Sequence, residues 1–132
     1  DTGSIYLDVY FVILEGKYAR RQIWSRIGLH NQKNQHWGKI GRDFIKWILS
    51  SAKGVSAYDN SKKAQDIRMV ESLAEIDGVE FLARIDVQPN QYNVARNVVT
   101  QAITCDHKEY ARFTSPQLVD DDFYYAKQGR FI

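Results

Sequence analysis

Cysteine is almost absent from this sequence. The single Cys105 excludes an intramolecular disulfide and fits a reducing compartment. No apolar run approaches the ~20 residues that span a membrane, and no basic-flanked apolar stretch of the signal type opens the sequence. A soluble intracellular protein with no membrane partner is the expectation. Signatures of nucleotide and acyl chemistry are missing as well, since there is no P-loop and no serine in a G-x-S-x-G setting. The three histidines are scattered, and the carboxylates lie among Lys and Arg without the clustering on strand ends that a two-metal nuclease needs. Cys105-Asp106-His107 offers one thiol and one imidazole with no second cluster, too few ligands for a zinc site. No metal, cofactor or catalytic residue is expected, and the protein is read as not an enzyme.

The 132 residues amount to one domain, long enough to bury a core without staples. Eighteen basic against sixteen acidic residues leave a net charge of only +2, so bulk charge alone does not imply a nucleic-acid partner. Its distribution is more informative. Up to Lys63 there are eleven Lys or Arg residues and five carboxylates, whereas the acids collect at Glu71 to Asp86 and at Asp120 to Asp122. A mixed solvated surface is the plain alternative.

Residues 5–14 alternate Ile5, Leu7, Val9, Phe11 and Ile13 against Tyr6, Asp8, Tyr10, Val12 and Leu14, which predicts a strand with one buried face. A turn at Glu15-Gly16-Lys17, in a loop of three to five residues, leads into a return strand over 20–30. The period then lengthens. Trp37, Ile40, Gly41, Phe44, Ile45, Trp47, Ile48, Leu49 and Ala52 follow helical spacing, giving an amphipathic helix from Asn34 to Lys53. Asn34 is its expected N-cap and Gly54 its left-handed terminator. A polar loop and a short second helix follow, with a capping box at Ser72-Leu73-Ala74-Glu75. Two more strands are expected over 79–88 and 95–104, and an extended tail over the last thirty residues.

Parity puts Arg20, Gln22, Trp24 and Arg26 on one face of the second strand, with Ile23, Ile27 and Leu29 on the other. A base can stack on such an indole, and guanidinium groups can pair with phosphates. Tyr6 and Tyr10 would extend the stacking surface, Arg84 would join it from the third strand, and Lys33 would touch the backbone of a bound strand from the following loop. The duller alternative buries Trp24 under the helix or a loop and pairs the arginines with Asp8 or Glu15. Trp37, Phe44 and Trp47 read as core plugging a barrel's end, and Lys39, Arg42, Lys46 and Lys53 as a solvated helix face or a groove extension.

A helix between two strand pairs is the arrangement of an OB-type β-barrel, where it separates the third and fourth of five strands. The run Tyr6-Leu7 to Gly16, then Arg20 to Leu29, with the later pieces Leu73 to Val87 and Arg96-Asn97-Val98-Val99, resembles a family of small phage-encoded single-stranded DNA-binding proteins long catalogued as of unknown function. The resemblance covers roughly residues 3–104 and rests on apolar and turn patterns. It implies an OB fold over 1–104 with a C-terminal extension over 105–132. It also implies non-sequence-specific coating of single-stranded DNA in bacteriophage replication or recombination, in the cytoplasm of a bacterial host. Family members begin with a further strand, whereas this sequence starts at the turn after it, Asp1-Thr2-Gly3-Ser4. The missing strand is expected ahead of Asp1, the alternatives being residues 95–132 or a partner chain. The acidic-aromatic run Asp120-Asp121-Asp122-Phe123-Tyr124-Tyr125 is similar to tails that recruit replication or recombination proteins, although seven residues follow it. A protein-interaction or virion-assembly module is the alternative function; RNA binding and a homodimer both stay open.

Overall fold

A computed structural model describes residues 3–111 and 124–131 of the chain. β1 (Ile5–Ile13) and β2 (Gln22–His30) form one antiparallel hairpin, and β3 (Phe81–Pro89) and β4 (Ala95–Ile103) form another. Between the hairpins in sequence lie α1 (Gln35–Lys53), α2 (Lys62–Arg68) and a single 3-10 turn, Leu73–Ile76. β5 (Tyr124–Phe131) pairs antiparallel with both β1 and β3, making one sheet in the order β2-β1-β5-β3-β4. The result is a small β-rich domain, and among the described residues no ladder closes β2 onto β4 into a barrel.

One expectation changes here, and β5 lies between β1 and β3 as a strand from the 95–132 segment, named above as an alternative source of a further strand. Residues 124–131, expected as tail, run as a strand inside the sheet. The physical reason is that the facing edges of β1 and β3 carry rows of backbone N–H and C=O groups, and one strand between them pairs with both. Tyr124 stands opposite Ala83 and Tyr125 opposite Leu82 in that ladder. Asp120, Asp121, Asp122 and Phe123, for which a docking role is expected, lie outside the described residues.

Alternation decides which side of the sheet is buried. Val9, Phe11 and Ile13 of β1, Ile23 and Ile27 of β2, Phe81, Ala83 and Ile85 of β3, and Val99 and Ala102 of β4 form one cluster with Ile48 of α1. Phe11 sits at its centre, edge-on to Phe44 at 6.2 Å and to Phe81 at 5.6 Å. An apolar void of about 10 Å³ is all that Val9, Phe11, Ile27, Ile45, Ile48, Ile76, Val79 and Phe81 leave between them, so sheet and helix meet in a nearly filled core.

The helix is set as its sequence predicts. The Asn34 side chain accepts from the Trp37 N–H at 3.1 Å, and Gly54 ends α1 at φ +70°. Its approach to the sheet is very close. A Cβ at Gly41 would lie 1.6 Å from the Gly28 carbonyl oxygen, and one at Gly28 would lie 2.5 Å from the Trp37 ring. Phe44 and Trp47 are half-buried against the core, whereas Ile40, expected on the buried stripe, is exposed.

Candidate nucleic-acid interface

With one face of the β1–β2 hairpin turned to α1, the other face points outward. Register places Tyr10 opposite Trp24, Asp8 opposite Arg26, Tyr6 opposite Gly28 and Val12 opposite Gln22. Trp24 keeps 44% and Tyr6 43% of its surface accessible, so the indole is not covered by the helix or a loop. Tyr10 is half-buried beside it. Four sequence-predicted residues, Tyr6, Tyr10, Gln22 and Trp24, therefore share one open face. Flat aromatic surfaces exposed in this way can take a stacked planar ring.

Arg26 is on the same face but already engaged. Its Nε donates to Asp8 Oδ1 at 2.8 Å and its Nη2 to Asp8 Oδ2 at 3.2 Å. The guanidinium also lies 4.0 Å over the Tyr6 ring and 5.6 Å from the Trp24 ring. The hydrogen bonds to Asp8 raise the Arg26 pKa, so this side chain is a permanent cation held in place. For Arg26 the duller alternative, pairing with Asp8, is what the geometry shows.

Arg20 is corrected outright. It belongs to the Leu14–Arg21 loop and not to β2, at φ +75°, with its N–H on the Ile13 carbonyl. The loop is longer than expected because Tyr18 tucks against the core while Arg21 lies 4.5 Å over its ring. Arg20 is exposed at one end of the hairpin and Lys33 at the other, after β2. Nine residues of strand span about 30 Å, so these two cations stand at the ends of the aromatic face.

Arg84 does lie on the outward side of β3, between buried neighbours Ala83 and Ile85. Its Nε sits 3.3 Å from Asp86 Oδ2, and Thr100 donates to that same oxygen at 2.7 Å. The Thr100 hydrogen bond, then Arg84, hold the Asp86 carboxyl below its usual range. Arg96 is a site candidate that the sequence reading passed over. It is exposed, opposite Gln88 on the same side as Arg84, and no ion pair engages it among the described residues. The signal was the two-residue alternation of 95–103, which needs the register with β3 before it assigns a side.

Other polar side chains tie loops together. Asp106 accepts from Ser56 Oγ at 2.7 Å and from Thr104 Oγ1 at 3.1 Å, tying the loop after β4 to the loop after α1. Among the described residues no three His, Cys, Asp or Glu side chains gather where a metal could sit, and no helix is long and apolar enough to cross a membrane. No family model, no curated protein and no solved structure matches the chain.

Proposed function

We propose that this protein binds single-stranded DNA without sequence preference, on the outward face of the β1–β2 hairpin, and that its fold is a permuted OB barrel. The carrying observation is the exposed cross-strand pair of Trp24 and Tyr10, continued by Tyr6 and flanked at its ends by Arg20 and Lys33. Stacking on aromatic side chains contributes about 1–3 kcal/mol per base and tolerates any base. The strand order supports the fold reading. If β5 stands for the first OB strand, then β1 and β2 correspond to strands two and three, and α1 follows the third. Strands two and three carry the ligand face in OB folds. The resemblance to phage-encoded single-strand binders points the same way, and with it a role in replication or recombination.

Titrating the tryptophan fluorescence with poly(dT), beside a matched duplex, tests the reading. Quenching by the single strand alone is expected, and Trp24→Ala should weaken binding by about tenfold or more while the circular dichroism stays native. Unchanged affinity in a natively folded Trp24→Ala protein overturns the stacking platform.

A second reading has its own observation. Val87, Tyr92 and Val94 are strongly exposed around the β3–β4 turn, Tyr92 to 77%. A protein-docking module would use such a tip, and its binding would resist salt where phosphate contacts weaken with it.

A further inference from the structure

Of the three arginines expected to meet phosphates, Arg20 lies in the loop before β2, whereas Arg26 and Arg84 lie on outward strand faces and each already has a carboxylate of its own. At Arg26 the Nε and Nη2 edge of the fork is filled by both oxygens of Asp8. Two parallel N–H donors of this kind are what would grip a phosphate. A phosphate approaching the free Nη1 side would meet the charge of Asp8 a few ångströms away. At Arg84 the competitor is Asp86, and Thr100 fixes it there through a 2.7 Å hydrogen bond. Each Asp–Arg unit is neutral, so a strand settling on it finds no net charge to neutralise.

From this we infer that Asp8 and Asp86 are built-in brakes on strand affinity. They cancel one cation on the β1–β2 face and one on the outward side of β3, so the strand is held by stacking on Trp24, Tyr10 and Tyr6 with ionic contacts left to the ends of the face. The inference rests on the single-strand reading and adds to it which residues limit the affinity. Both pairs lie at the surface, with Arg26 and Asp8 side chains 45% and 23% accessible, and exposed pairs of this kind contribute little to stability. Their removal therefore leaves the protein folded at a small cost in stability, and the change in binding can be read on a native protein. Asparagine keeps the shape and one acceptor oxygen at each position while removing the charge.

The test measures dT-oligonucleotide affinity by fluorescence anisotropy over a series of NaCl concentrations. The proteins compared are wild type, Asp8→Asn, Asp86→Asn, the double variant, Asp8→Glu and Trp24→Ala. Each asparagine variant should bind several-fold more tightly at low salt. Its log affinity should fall more steeply with log salt, by about 0.7 per charge uncovered. Asp8→Glu, which keeps the charge, should retain the wild-type slope. Wild-type affinity and slope in both asparagine variants, or weaker binding in them, overturns the inference; weaker binding would make the carboxylates positioning groups for the arginines. If wild type binds and Trp24→Ala does not, such a result leaves the stacking platform standing. If no protein in the set binds, the single-strand reading itself falls, and this inference with it.

Discussion

Thr100 donates to Asp86 at 2.7 Å, Arg84 lies beside the same carboxylate, and together they keep Asp86 ionised to lower pH than usual. The sign of the consequence follows from linkage. A carboxyl whose folded pKa is depressed contributes stability above its unfolded value of about 3.9, and that contribution is lost as pH falls through the lower folded value. Asp59 is shifted the same way, first by hydrogen bonds from Ser61 and then by the nearby Arg68 charge. Urea unfolding across a pH series should therefore show Asp86→Asn less stable than wild type at neutral pH, with the two curves converging below about pH 4. The wild type keeps part of its acid sensitivity through Asp59. Equal stability at neutral pH would mean that Thr100 and Arg84 gain nothing from the charge. Individual pairings of this kind were only half legible in the sequence. Alternation alone puts Asp86 on the side of Arg84 and Asp8 on the side of Tyr6. That Asp8 faces Arg26 needs the hairpin register, and register depends on a loop whose length alternation does not reveal.

Elements were legible wherever one period ran without interruption. The two-residue alternation of 5–13 and the helical spacing of 35–53 predict β1 and α1 to within about a residue, because in each a single face meets the core. The return strand was read two residues too long at its start. Tyr18 packs on the core from inside a loop, and so mimics strand character in the sequence. The contact between α1 and β2 was not legible at all. Gly41 read as one more member of an apolar stripe, yet its missing side chain is what lets the helix backbone reach the Gly28 carbonyl. Gly41→Ala inserts a methyl where backbone, and not a flexible side chain, stands in the way. Overpacking of this kind costs about 1–3 kcal/mol, and a shift of α1 off β2 would also loosen Phe44 from Phe11. Thermal unfolding of Gly41→Ala should show a melting temperature lower by several degrees, while Lys39→Ala on the solvent side of the same helix stays within about 0.5 kcal/mol of wild type. Equal melting of Gly41→Ala and wild type would mean that the close crossing does not constrain the fold.

At the scale of the whole molecule, two local hairpins are joined by one non-local strand. β1–β2 and β3–β4 each pair within about thirty residues of sequence, but β5 reaches back to Val9 and Phe81. Long-range pairing leaves little trace in local pattern, which is why 124–131 read as tail. α1 spans the hairpins on the buried side, yet among the described residues β5 alone joins their backbones into one sheet. Without it, the inner edges of β1 and β3 would each present unpaired N–H and C=O groups, and such edges recruit strands from other chains. A protein ending at Ala111 should consequently lose its single cooperative unfolding transition or self-associate, as read by circular dichroism melts and sedimentation. A synthetic peptide covering residues 117–132, added in trans, should restore the cooperative transition, since the slot between the hairpins is shaped by backbone hydrogen bonding that any strand of that sequence can supply. A truncated protein that stays monomeric, melts cooperatively and ignores the peptide would show that the hairpins and α1 hold the fold by themselves. That result would also remove β5 as the first strand of an OB barrel, because a strand that adds no stability closes nothing.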